Sequence, residues 1–318
     1  MKKLLSLCMA LVMVVSMALG VSAKQVSLDD LAEETIEVSE DRQESGALVY
    51  TYEKIDVFIE KARMMFPTIE DVELAYFLLE FTGQSCEAAP EEEALLMLEY
   101  DNISISTSYI RVSETGCEEV DPSQEIVTVD IFNSSDGYMQ LETGFTKTGT
   151  TGSTKRFNVW TIATWLKYPE VCLQDVLVVG TNGSFDDSYD EFGYVRQVFT
   201  CLSCGQETVY KRDVDRTTMS NFDAWMEYTS GGIPAMKFVP LTPRCDYCGG
   251  TARDKVFRAF IRYGVLVEGS GMIQAAYGHK TLGPSDISVG VDANGMPSIS
   301  VGWTSRITTY NARAVTLQ

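Results

Sequence analysis

Two short cysteine pairs constrain the fold of this chain more than any other feature. Cys201-Leu202-Ser203-Cys204-Gly205 is followed by Cys245-Asp246-Tyr247-Cys248-Gly249-Gly250, with forty residues between Cys204 and Cys245. A Cys-x-x-Cys turn points two sulfurs at one place, and two such turns supply the four soft donors that tetrahedral zinc takes. The glycine after each second cysteine permits the left-handed backbone that brings amides toward sulfur. Strand-like segments flank both turns, at 194–200 and 207–213 for the first and at 236–239 and 256–267 for the second. The spacing predicts two facing hairpin tips, a zinc-ribbon-like clasp over about residues 194–262 with Cys201, Cys204, Cys245 and Cys248 as ligands. With all four positions held by thiolates, such a zinc has no open coordination site and is structural. Disulfides within or between the pairs are the competing reading. The gap exceeds the ~15–20 residues usual for such sites, and an oxidising compartment favours bridges. A redox role would need a thioredoxin-like βαβ context, which the pattern does not show.

The start of the chain bears on that compartment. Lys2 and Lys3 precede an uncharged apolar run over 4–19, and Val21-Ser22-Ala23 matches a small-x-small cleavage site. The run is short against the ~20 residues of a spanning helix. Residues 1–23 therefore read as a signal peptide, and the mature chain as secreted with no membrane anchor. Cys8 leaves with this segment. Cys86 and Cys117 are candidates for a disulfide tying helices to the first strands, which would leave Cys172 a lone thiol.

Charge is divided unevenly along the 318 residues, whose net value is −20. Residues 24–150 hold 29 acidic and 7 basic side chains, a net of −22, whereas residues 151–318 hold 16 of each. This balance excludes a nucleic-acid partner and an anionic lipid surface, both of which need clustered Lys and Arg. The expected partner is an extracellular ligand, a glycan or a surface protein.

Hydrophobic spacing divides the mature chain further. Residues 24–49 are acidic, poor in large apolar side chains, and read as a flexible leader. Residues 50–100 read as a small acidic helical unit. Ile55, Phe58, Ile59 and Ala62 share a face before Pro67; Thr68 and Asp71 form a capping box for a second helix that Gly83 closes; and Pro90 opens a third with Glu91, Glu92 and Glu93 in its first turn. From 101 onward the period becomes strand-like, with candidates at 126–132, 138–145, 157–166, 175–179 and 272–277 besides those around the cysteines. Ile287, Val289 and Val291 alternate, Asp292-Ala293-Asn294-Gly295 turns, and Ile299, Val301 and Trp303 alternate back. The predicted fold is mainly β: an antiparallel β-sandwich-like domain over 101–318 carrying the clasp, preceded by the helical unit.

Other candidate chemistry is less specific. His279 is the single histidine, so any Ser-His-Asp or Cys-His device would have to use it; its position at a predicted strand end fits a surface or packing role better. Asp186, Asp187, Asp190 and Glu191 form an acidic loop that could hold calcium, although their spacing matches no EF-hand and a solvated loop accounts for them more simply. Trp160, Trp165, Tyr168, Trp225, Tyr228 and Trp303 could line a binding face or, more commonly for strand aromatics, a core.

Three stretches resemble secreted, functionally uncharacterised proteins of Gram-positive, gut-type bacteria. They are the run 102–112, Trp165-Leu166-Lys167-Tyr168-Pro169 with Asp175-Val176 following, and Ala275-Ala276-Tyr277-Gly278-His279 before a terminal hairpin. The resemblance implies a β-rich extracellular domain and transfers no functional residues. The expectation is a secreted, non-enzymatic binding or interaction protein with a structural zinc. A secreted hydrolase acting on glycans or cell wall, and a toxin- or bacteriocin-like factor, are the alternatives.

Overall fold

The computed structural model describes residues 26–86, 89–121, 136–169, 173–188, 191–218, 223–229, 232–242, 244–302 and 304–318. The signal segment, the strand candidate at 126–132, Cys172, Asp190 and Trp303 lie outside the described residues. Helices run over Leu28–Thr35, Ile55–Met65, Asp71–Phe81 and Glu91–Leu95, the last continuing as a 3₁₀ turn over Leu96–Glu99. In chain order the strands are β1 (Glu37–Arg42), β2 (Leu48–Glu53), β3 (Asn102–Val112), β4 (Cys117–Glu119), β5 (Gly137–Thr151), β6 (Thr154–Lys167), β7 (Gln174–Thr181), β8 (Ser184–Phe185) and β9 (Phe192–Cys201). They continue as β10 (Glu207–Val214), β11 (Ala224–Tyr228), β12 (Pro234–Phe238), β13 (Ala252–Glu268), β14 (Gly271–Leu282), β15 (Ile287–Val291), β16 (Pro297–Val301), β17 (Arg306–Asn311) and β18 (Val315–Leu317).

The larger sheet has the order β1-β2-β3-β5-β6-β13-β9-β10, with β4 on β3 and β8 on β13; the smaller runs β11-β12-β7-β14-β17, with β18 on β14. Strand alternation explains how they stack. Ile103, Ile105, Trp160, Ile162, Tyr194 and Phe260 point from one face of the larger sheet into the helices, against Phe58, Leu74 and Leu78. The residues between them, among them Ala163, Trp165, Val195, Phe257 and Ile261, point the other way and meet Leu177, Met236, Phe238 and Tyr277 of the smaller sheet. The molecule is thus mainly β, two antiparallel sheets face to face with a helical layer outside the larger one. Covering both faces accounts for the nearly unbroken burial along β5 and β6.

Three readings of the front end change. The segment expected to be a flexible leader is structured. Ser27 and Asp30 form a capping box for the first helix, which buries Leu31 and Ala32 among the other helices, and β1 and β2 extend the large sheet. Its low apolar content reflects an edge position, since every residue of β1 is exposed. Second, the helix over Asp71–Phe81 starts from Glu70 without a side-chain cap, so the Thr68 capping box does not form. Third, Glu93, in the first turn as read, is also buried, which its place in the sequence did not indicate. It pairs with Arg258 of β13, which is also buried, and accepts a hydrogen bond from Tyr194; Arg258 donates to Thr164 Oγ1 at 2.7 Å and to the Tyr194 hydroxyl at 2.9 Å. The helical layer is pinned to the sheet by this polar cluster as well as by apolar packing.

The terminal hairpin forms as read, with Ile287 opposite Val301 and Val289 opposite Ile299. It lies over the smaller sheet, where Ile299 packs above Gly278 and Pro297 above Gly180; a Cβ on Gly278 would stand 2.9 Å from Ile299 Cγ2. No helix of the described residues is long and apolar enough to cross a membrane.

Candidate metal centre

The two cysteine turns meet at one end of the larger sheet. β9 ends in Cys201, the chain turns through Cys204, and β10 returns in register against β9, with Glu207 opposite Thr200. The second turn is built differently from expectation. Strand β12, which leads toward it, belongs to the smaller sheet, whereas β13, which leaves it, belongs to the larger. The second turn is therefore not the tip of a regular hairpin. It is a knuckle on the crossing between sheets, closed at its base by one isolated bridge between Arg244 and Thr251.

Within the knuckles the two backbones repeat each other. Cys201 N–H donates to the Gln206 carbonyl at 2.9 Å and Cys245 N–H to that of Gly250 at 3.0 Å. Gly205 N–H returns to the Cys201 carbonyl at 3.0 Å and Gly249 N–H to that of Cys245 at 2.9 Å. Both glycines take left-handed backbone, φ 71° and 67°, as read from their place in the sequence. Gly250 has a steric reason as well: a Cβ there would lie 3.2 Å from Cys248 Sγ and 3.3 Å from Ser203 Oγ.

These turns bring four sulfurs within 4.8 Å of one another, the only such cluster of ligating side chains among the described residues. Cys201 and Cys248 approach to 3.5 Å, Cys204 and Cys245 to 3.6 Å, and Cys204 and Cys248 to 3.8 Å. Cys201 and Cys245 are buried beneath, and Cys204 and Cys248 face solvent. The amides of Cys204 and Ser203 both point at Cys201 Sγ and pull its thiol down to about 6. The Gln206 amide also favours a thiolate at Cys204, but sulfurs that share protons with it push Cys204 up to about 12. Four sulfur donors in this arrangement can hold a metal ion with no further ligand. The variable positions of the knuckles carry exposed apolar side chains, Leu202 and Tyr247, the latter 75% exposed.

Several other candidates resolve differently. Cys86 and Cys117 are both free: Cys86 is exposed on the helical side, whereas Cys117 lies beside Thr308 near Asp175, so the proposed bridge between them does not form. His279 is not at a strand end. It sits inside β14, 1% exposed, with Nδ1 2.8 Å from Asp175 Oδ1 and 3.3 Å from the Tyr277 hydroxyl, and the Tyr168 hydroxyl donates to Asp175 Oδ2 at 2.6 Å. The rings of Trp165, Tyr168 and Tyr277 pack around it. It has the aspartate of a catalytic device, yet solvent does not reach the ring. In the acidic loop, Asp186 accepts from Ser188, while Glu191 accepts from Arg216 and Tyr228. Asp186 and Glu191 therefore serve separate partners, and the described carboxylates of this loop form no cluster of metal ligands. Trp160 and Trp165 are core, Trp225 is half-buried, and Tyr228 is tied to Glu191, so for the two tryptophans of β6 the core alternative holds.

No family model matches the chain, and no curated protein does. Solved structures give faint likenesses. A pore forming protein is 8% identical over 66% of this chain and 91% of its own, with a TM-score of 0.24. The pilus backbone of Streptococcus pneumoniae is 10% identical over 66% of this chain and 78% of its own, with a TM-score of 0.24. The NetB toxin of Clostridium perfringens in its membrane inserted form is 6% identical over 66% of this chain and 95% of its own, with a TM-score of 0.20.

Proposed function

We propose that the mature chain is a secreted, non-enzymatic binding protein whose cysteine knuckles are locked by one structural zinc. The observation that carries the zinc is the convergence of the four sulfurs. Zinc–sulfur bonds of about 2.3 Å in a regular tetrahedron put neighbouring sulfurs about 3.8 Å apart. The closest sulfur contacts here, 3.5, 3.6 and 3.8 Å, lie near that edge. Soft thiolates select zinc over calcium or magnesium, and four protein sulfurs leave no position for water or substrate. The centre then builds and does not react: it joins the end of β9 to the crossing that enters β13. Export is supported by the signal-like start of the sequence, and a binding role by the exposed Leu202 and Tyr247 that the knuckles display. The resemblance to secreted Gram-positive proteins is part of the same proposal.

Native mass spectrometry of the mature protein should give one zinc per chain, lost when acid protonates the thiolates. A bare chain mass, with disulfides mapped between Cys201 and Cys248 and between Cys204 and Cys245, would replace the metal by two bridges across the same clasp. A glycan and surface-protein screen tests the binding part, and turnover of a cell-wall substrate by the pure chain would overturn it.

A further inference from the structure

The clasp has an inner and an outer layer of sulfur, and the layers pair across it. Each knuckle contributes one sulfur of each kind: Cys201 and Cys245 are buried, Cys204 and Cys248 exposed. Two contacts between the knuckles join an outer sulfur to an inner one, Cys248 to Cys201 at 3.5 Å and Cys204 to Cys245 at 3.6 Å. A bond between two sulfurs is about 2.05 Å long, so each pair lies about 1.5 Å from closing, a distance two side chains share by rotating. Only the outer sulfurs meet a dissolved oxidant. An outer sulfur oxidised there has an inner sulfur of the other knuckle against it, placed to resolve it and shielded from further oxidant.

We infer that the clasp is a peroxide-responsive switch between a zinc-bound form and a zinc-free form closed by two disulfides, Cys201 to Cys248 and Cys204 to Cys245. The inference rests on the structural-zinc reading and adds its regulation. The Cys248 thiolate attacks one peroxide oxygen; a sulfur–oxygen bond forms, the oxygen–oxygen bond breaks and hydroxide leaves. The Cys201 thiolate then attacks the Cys248 sulfur; the sulfur–sulfur bond forms, the sulfur–oxygen bond breaks and a second hydroxide leaves. Cys204 and Cys245 repeat the sequence with a second peroxide. Four thiolates give up four electrons, two peroxides become four hydroxides, and zinc departs as Zn²⁺ because its donors are now disulfides. Covalent links then hold the two knuckles together in place of the metal. Metal and bridge, the competing readings of the two cysteine pairs, become two states of one clasp.

The mature protein, purified under reducing conditions and loaded with zinc, is titrated with hydrogen peroxide while a chromogenic chelator reports free metal. The expected result is release of one zinc per two peroxides, peptide maps with both cross-knuckle bridges, and recovery of zinc binding after reduction with dithiothreitol. Hydrogen exchange over 244–251 should stay slow in the oxidised form and rise several-fold in reduced protein stripped of metal. Cys86→Ser, which removes an exposed thiol outside the cluster, should leave the stoichiometry unchanged. The outer sulfurs also approach each other, at 3.8 Å. A single bridge between Cys204 and Cys248, bridges within the turns, sulfinates or sulfonates in place of bridges, or zinc retained against excess peroxide would each overturn the switch and leave the structural zinc standing. A reduced chain that binds no zinc would overturn both.

Discussion

Glu142 is a buried carboxyl set among other buried charges. It lies in β5 between helices and sheet, fully buried, and neither carboxylate oxygen has a hydrogen-bond partner among the described residues. Burial pushes its carboxyl up to about 7; Arg258 pulls against this, and Glu93, the carboxylate Arg258 already serves, adds to it. The native state thus holds the Glu142 proton more tightly than the unfolded chain does. The resulting stability is complete below the ordinary carboxylate range, falls as pH rises toward 7, and changes no further above it. The total is on the order of 3 kcal/mol. Glu142→Gln, which keeps the shape and removes the ionisation, should stabilise the protein at pH 8 and have little effect at pH 4; urea unfolding at both values checks it. Nothing in the sequence marks this residue, or Glu93, among 45 acidic side chains. Their burial follows from where the helices land on the sheet, which local spacing does not encode. The four cysteines were legible because their chemistry depends on spacing within each turn, and the turn glycines carry the same local information.

At the level of elements, the clasp joins parts that pair independently of it. β9 and β10 hold each other in an eight-pair ladder, whereas the second knuckle has one bridge at its base. Removing the metal should therefore free the second knuckle first. Hydrogen exchange after chelation should show faster exchange over 244–251 and the start of β13, with β5 and β6 unchanged; uniform deprotection would mean the metal supports the whole fold. The same asymmetry explains what sequence reading recovered. Helices over Ile55–Met65 and Asp71–Phe81 and the hairpin of β15 and β16 were recognisable, because periodicity and turn residues act within a few positions. That β12 would join one sheet and β13 the other was not, since strand partners are chosen by packing between distant segments. The front end was misjudged for a related reason: a strand that is wholly exposed at an edge shows no alternation to detect.

For the whole molecule, the larger sheet is open. Among the described residues it begins at β1 and ends at β10, and neither strand closes onto another in the path of the sheet. β1 is also where acidic charge is dense, with Glu37, Glu40 and Asp41 along six exposed residues that also include Val38. An unpaired strand edge is a template for another chain, and like charges set along it are repelled by a second copy of themselves. The acidity of the front half therefore acts against self-association: it protects a sheet that would otherwise grow from molecule to molecule. Glu40→Thr combined with Asp41→Thr keeps a strand-forming sequence and removes that protection. Light scattering and thioflavin fluorescence should then rise with concentration for the variant and stay flat for the native chain, and assembly should start from an edge that has no part in the clasp.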